Sequence, residues 1–167
     1  MRFLIFVVAI LFCCCTLVAQ SKLDNTLKKF NKESVPYIYP EHLSPSQNMI
    51  LLDTRKKEEF EISHLKNAIW VGHKKFNAQK FAEQFPDKSK PMVVYCSIGV
   101  RSENIGEELL AMGYKDVQNL YGGIFEWKNQ DGKVYNQYEK ETDSVHAFNK
   151  HWGKLLTKGE KVYSGKK

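Results

Sequence analysis

Beyond residue 15 the sequence holds one cysteine, Cys96, in the stretch Tyr95-Cys96-Ser97-Ile98-Gly99-Val100-Arg101-Ser102. The apolar run from Met92 to Cys96 predicts a strand and the residues after it a helix, so Ser97 to Arg101 form a tight loop leading into a helix N-terminus. In such a loop the backbone amides of Ser97, Ile98, Gly99, Val100 and Arg101 converge on one point, together with the positive end of the helix dipole. A sulfur placed there as the last strand residue is stabilised as thiolate, and the charge of Arg101 adds to the effect. Cys96 is then an activated nucleophile in an anion cradle. A cysteine ending a buried strand is also a common core residue, and the strand alone favours that reading. The spacing of Gly99 and Arg101 and the helix that follows favour the nucleophile.

The elements that must position this loop are legible in the hydrophobic pattern. Short apolar runs at 35–39, 49–53, 68–71, 92–96 and 117–120 alternate with segments of helical period at 56–65, 76–85 and 102–113. This alternation predicts an α/β domain with a mostly parallel sheet covered on both faces. Ser102 is the expected N-cap of the third helix and Gly113 its left-handed terminating residue, with Ile105, Leu109 and Met112 turned to the sheet. Residues 21–34 read as a short polar helix or linker without chemistry, with Leu23, Leu27 and Phe30 at a helical spacing that allows loose packing on the domain. In the tail, 129–167, Val145, Phe148, Trp152 and Leu155 predict an amphipathic helix that braces the domain rather than shaping a substrate site. A small hairpin is expected at Asp131-Gly132. His146 and His151 are spaced to face different ways, so no metal site is expected.

The first twenty residues combine Arg2, an apolar run from Phe3 to about Ala19 and a polar continuation, the pattern of a signal peptide. Cleavage there would remove Cys13, Cys14 and Cys15 and leave Cys96 unpaired in an exported, periplasmic or secreted protein. Two alternatives stand beside it: a lipoprotein, since Leu11-Phe12-Cys13-Cys14 resembles a lipobox, and a retained membrane anchor. The formal charge of +6 is spread over segments that also carry glutamate. No basic run is interleaved with aromatics, so nucleic acid is not an expected partner.

Two longer stretches resemble the rhodanese family. LLDTRKKEEFEISHLKNAIWV is similar to that family's segment joining an Asp-x-Arg strand end to a Glu-Phe helix and a histidine turn. CSIGVRSENIGEELLAMGYKDVQNLYGGIFEW is similar to its active-site half, and together the resemblance spans about residues 35–128. The resemblance implies a three-layer fold with a mostly parallel central sheet flanked by helices, and sulfurtransferase activity. It implies Cys96 as the sulfur-accepting nucleophile, the amides of Ser97 to Arg101 as the binder of persulfide and substrate anion, and Arg101 as added charge. Asp53, Arg55, Glu59 and His64 match the first motif in mainly structural roles, and Gly122, Gly123 and Trp127 match the closing turn and short helix. Ser63, Leu65 and Lys66-Asn67 depart from the family's glycine, isoleucine and Pro-Gly. The implied reaction passes sulfur from thiosulfate or another small donor to a thiol, cyanide or a protein acceptor through a Cys96 persulfide, with no metal or organic cofactor.

Two other functions fit parts of the pattern. A cysteine phosphatase or arsenate reductase uses a related loop, but with five residues between cysteine and arginine where four stand here, Ser97 to Val100. A shorter ring of amides suits one sulfur atom better than a tetrahedral oxyanion. A sulfur-carrier or interaction module of low turnover would keep the same cysteine, because fold alone does not settle function.

Overall fold

Met92, Val93, Val94 and Tyr95 are all fully buried, and a strand apolar on both sides needs a layer of structure over each face. The computed structural model describes residues 22–43 and 48–163. The leader, with Cys13 to Cys15, lies outside the described residues. No helix among the described residues is long and apolar enough to cross a membrane.

Strands β1 (Tyr37–Ile38), β2 (Ile50–Asp53), β3 (Ile69–Trp70), β4 (Met92–Tyr95) and β5 (Val117–Leu120) form a sheet in the order β1-β5-β4-β2-β3. Every neighbouring pair is parallel. β4 is central, with Asp53 opposite Tyr95 on one side and Met92 opposite Val117 on the other. Because side chains alternate along a strand, β4 feeds two cores. Met92 and Val94 join Leu52 and Val117 against Phe81 of α3 (Ala78–Gln84) and Ile105 and Leu109 of α4 (Val100–Ala111). Val93 and Tyr95 join Ile38 and Leu120 on the opposite face, against Ile124 and Phe125 of α5 (Gly123–Asn129). The result is the expected α/β three-layer fold. Asp53, the last residue of β2, leads through Thr54 and Arg55 into α2 (Lys57–Ile62).

The N-terminal flank takes the helical form the sequence allowed, while the C-terminal flank departs from expectation. Residues 22–30 form a helix, α1, whose Leu23 and Leu27 are buried in the same core as Tyr95 and Phe125. The residues after it are tied down as well. The amides of Lys32 and Ser34 donate to the Glu103 carboxylate at 2.9 and 3.1 Å, so this segment is part of the domain rather than a linker.

The amphipathic helix expected over Val145 to Leu155 is absent. β8 (Ser144–His146) pairs in parallel with β9 (Glu160–Val162), and only a 3-10 turn, Trp152–Lys154, lies between them. The reason is local. Phe148 adopts a left-handed conformation at φ 61°, and Asn149 Oδ1 accepts the amides of His151 and Trp152 at 2.9 and 3.0 Å. A side chain that captures backbone donors in this way competes with the helical ladder.

The small hairpin is also displaced. β6 (Val134–Tyr135) and β7 (Glu141–Thr142) pair around a turn in which Asn136 Oδ1 accepts the amides of Tyr138 and Lys140. Asp131-Gly132 instead ends α5, where Gly132 lies beneath the Trp127 ring.

Val145, Ala147 and Leu156 share the core with Leu23, Leu27 and Ile98. Leu156→Ala is therefore expected to destabilise the whole domain by about 2–5 kcal/mol. Urea unfolding followed by two probes, far-UV circular dichroism and tryptophan fluorescence, should give one coincident transition shifted to lower denaturant. A separate, unshifted transition for the sheet would show that the tail folds apart from it.

Candidate active site

β4 ends at Tyr95, so Cys96 is the first residue of the loop rather than the last of the strand. Its side chain is buried, and Sγ accepts the Gly99 N–H at 3.2 Å. The loop owes its inward amides to what holds its carbonyls from outside. The Cys96 and Ser97 carbonyls accept the amides of Ile124 and Phe125, in the first turn of α5, at 2.9 and 3.1 Å. The Gly99 carbonyl accepts the side-chain amides of Asn119 and Asn31 at 2.8 and 3.1 Å. With the Cys96, Ser97 and Gly99 carbonyls turned outward, the opposite edge of the peptide chain faces the sulfur, where the Gly99 amide meets it, a geometry suited to an anion.

Gly99 caps α4 at φ 106°, a conformation that favours glycine. It thus takes the capping position expected for Ser102. Ser102 lies one turn farther on, buried, with its hydroxyl donating to Asn119 Oδ1 at 2.7 Å. A four-residue connection leaves room for only one cap before the helix begins at Val100, and the left-handed turn selects the glycine. Asn119 therefore fixes both sides of the loop, one through Gly99 and the other through Ser102. Nothing in the apolar run VQNL marks that role.

Burial pushes the Cys96 thiol up, but the Arg101 charge and the Ser102 and Gly99 amides outweigh it, and its pKa falls below the ordinary value. The Arg101 guanidinium does not hang free. It grips the Glu59 carboxylate through both terminal nitrogens at 2.8 and 2.9 Å, and its Nη2 donates to Ser97 Oγ at 2.9 Å. Glu59 is fully buried and also accepts the Lys56 amide at 3.0 Å, closing the first turn of α2. Burial would raise its pKa, but the hydrogen bonds and charge of Arg101, the charge of Arg55 and the Lys56 amide hold it at about 2. Glu59 orients the arginine of the loop from 42 residues away, and that distance in sequence hides it from any local pattern.

Asp53 and Arg55 do not reach the sulfur. They form a buried pair, Arg55 Nη2 to Asp53 Oδ2 at 2.5 Å, and the same nitrogen donates to the Ser63 carbonyl at 2.6 Å. His64 is likewise structural, contacting the Phe60 carbonyl and Glu139 through its two ring nitrogens. Lys66-Asn67 forms a tight turn. Asn67 supplies a left-handed residue at φ 61° and the Ala68 amide donates to the Leu65 carbonyl at 3.0 Å. Among the described residues no cluster of histidine, cysteine, aspartate and glutamate could hold a metal.

A family model for the rhodanese-like domain matches residues 40–130, more than half of the chain. The chain belongs to the rhodanese-like family. A thiosulfate sulfurtransferase GlpE of Coxiella burnetii is 33% identical over 86 residues, which cover 52% of this chain and 78% of that protein. A tRNA uridine(34) hydroxylase of Hamiltonella defensa is 38% identical over 86 residues, covering 47% of this chain but 23% of that protein. Two solved structures share the rhodanese-like fold. The thiosulfate sulfurtransferase of Pseudomonas aeruginosa gives a TM-score of 0.57 at 19% identity, covering 83% of this chain and 26% of that one. The rhodanese-like domain of an Anabaena protein gives 0.55 at 20% identity, covering 63% and 82%.

Three residues outside the matched stretch border the rhodanese-like loop. A cavity of about 200 Å³ opens on Cys96 between Phe30 of α1 and Phe148 and Trp152 of the tail. The sequence assigned no chemistry to the first and a bracing role to the others. Their approach depends on how both flanks cross the sheet, which no helical period encodes.

Two outcomes follow from this geometry. A Cβ on Gly123 would lie 2.3 Å from the Cys96 carbonyl oxygen at a φ of 55°. Gly123→Ala should cost about 2–4 kcal/mol in thermal or chemical unfolding, because the clash is with backbone that cannot yield. Glu59 has a folded pKa of about 2 against 4.5 for the free group, so its contribution is complete above pH 4.5 and disappears as pH falls toward 2. Glu59→Gln should lower stability at pH 7 by on the order of 2 kcal/mol and flatten that acid limb. Stability measured from pH 7 to 2 checks the sign: an equally steep loss in the variant would exclude Glu59 as its source.

Proposed function

We propose that this protein is a sulfurtransferase working through a persulfide on Cys96. The observation that carries the reading is the Cys96 sulfur capped by the Gly99 amide at 3.2 Å, inside a loop whose arginine is locked by Glu59. The family membership and the thiosulfate sulfurtransferase relative support it. The tRNA hydroxylase relatives match over only a fraction of their length and support the domain, not their own reaction.

The Cys96 thiolate attacks the outer sulfur of thiosulfate, the sulfur–sulfur bond breaks, and sulfite leaves with the bonding electron pair. The negative charge then resides on the outer sulfur of the new persulfide, which the loop amides stabilise as an oxyanion hole stabilises oxygen. A thiolate, cyanide or a protein thiol attacks that outer sulfur, and the electron pair returns to Cys96. Arg101 lowers the cost of the thiolate in both half-reactions, and Glu59 keeps the guanidinium aligned without a conformational search. The protein's own groups supply every step.

Thiosulfate treatment should raise the mass of the wild-type protein by one sulfur atom, and Cys96→Ser should show no gain and no transfer to cyanide. The rate of persulfide formation should rise with pH to a plateau whose midpoint lies below that of free cysteine, about 8.5. Arg101→Ala should move the midpoint upward and lower kcat/KM about 10- to 100-fold, or about 1.4–2.8 kcal/mol. Faster hydrolysis of an aryl phosphate than sulfur transfer would replace this reading with a phosphatase. Rapid loading with negligible release to any small acceptor would replace it with a sulfur carrier.

A further inference from the structure

The mouth over Cys96 carries more apolar surface than thiosulfate or cyanide can use. Phe30 and Phe148 stand 49% and 39% exposed, and, unlike the other exposed large side chains, both line the cavity of the one buried thiol of the described residues. They are held there. Phe30 packs edge-on against Trp152 with ring centroids 5.6 Å apart, and Phe148 lies under the Arg101 guanidinium at 5.2 Å in its left-handed conformation. A small hydrated anion gains nothing from three aromatic walls, whereas a carbon chain does.

The far side of Phe148 is the opposite in character. Arg101 and Phe148 also border a second cavity, of about 580 Å³, whose rim carries Lys56, Lys57, Lys74 and Lys75. Its one carboxylate, Glu58, pairs with Lys56 at 3.6 Å. Lys57 lies over the Trp70 and Phe60 rings at 5.1 and 4.8 Å, and among the described residues neither Lys74 nor Lys75 makes an ion pair. An apolar slot at the sulfur thus shares a wall, Phe148 and Arg101, with a basin of surplus positive charge.

We propose that the sulfur acceptor is a small organic thiol with an apolar chain beside its sulfur and an anionic group at its far end. This rests on the persulfide reading above and names its acceptor. The 200 Å³ slot has room for a chain of about six heavy atoms, counting each as roughly the volume of a water molecule. Phe30, Phe148 and Trp152 are then specificity-determining residues, and Lys74 and Lys75 select the charge of the tail. The transfer balances without any further reactant. The acceptor thiolate attacks the outer persulfide sulfur, the bond to Cys96 breaks, the Cys96 thiolate returns and the acceptor departs as its own persulfide.

The test uses the full protein loaded with thiosulfate and a series of ω-mercaptoalkanoates of two to seven methylenes. The ω-hydroxy and ω-amino thiols of the same lengths are run in parallel, and cyanide serves as reference acceptor. Rates are compared per unit thiolate. We expect kcat/KM to rise about three- to fourfold per methylene up to the length of the slot. At low salt the carboxylate series should exceed the hydroxyl series about five- to tenfold and the ammonium series by more, and added salt should erase the gap. Phe148→Ala and Trp152→Ala should flatten the dependence on chain length. The double change Lys74→Ala, Lys75→Ala should remove the preference for carboxylate while the slope with chain length persists. If cyanide accepts sulfur but thiol rates are independent of length and end group, the acceptor proposal is overturned and the persulfide reading stands. If the wild type neither loads sulfur nor passes it to cyanide, the persulfide reading itself fails. The wild-type series decides the matter even if a variant does not fold.

Discussion

A buried carboxylate that must stay charged governs this active-site region. Glu59 has no exposed surface, yet its pKa is held at about 2, which requires the bidentate grip of Arg101 and the amide of Lys56. Breaking such a pair strands a charge in the interior, so the pair fixes the distance between α2 and the start of α4. That constraint sets the cysteine loop. Arg101 belongs to the first turn of α4, and Ser97 is bonded to the same guanidinium. The electrostatic environment of the thiol therefore follows from an ion pair that never touches it.

The loop is supported from three further directions. The first turn of α5 holds the Cys96 and Ser97 carbonyls, Asn119 holds Gly99 and Ser102, and Asn31 reaches in from the N-terminal flank. These contacts place polar groups behind the loop and leave its front bare. A loop held in this way presents the Gly99 amide to the sulfur without local rearrangement. Gly123 is the position where the support is tightest, because α5 approaches the Cys96 carbonyl too closely for any side chain.

The flanks give the family's loop its particular surroundings. Leu23 and Leu27 on one side and Val145, Ala147 and Leu156 on the other bury themselves in the core shared with Tyr95 and Phe125. Burial of that apolar surface carries Phe30, Phe148 and Trp152 to the rim of the Cys96 cavity. The cost is two large aromatics left partly in water, a cost that a ligand could offset. The family-matched residues form the cysteine loop, and the flanks line the cavity that opens on it.

Much of this was legible in the residues alone. The short apolar runs of β2 and β4, alternating with helical segments, pointed to a parallel sheet covered on both faces, because such strands are buried on both sides. The Cys96-to-Arg101 spacing pointed to a tight loop opening a helix, because strand, glycine and helix N-terminus are consecutive and their geometry is local. Period alone misplaced the tail, since Val145, Phe148, Trp152 and Leu155 have helical spacing but Asn149 diverts the backbone donors that a helix needs. Glu59 with Arg101, Asn119 with Gly99, and Phe30 with Trp152 were decided only by the tertiary structure. Each joins residues far apart in the chain, and their meeting depends on which faces the sheet buries rather than on any spacing a sequence can display.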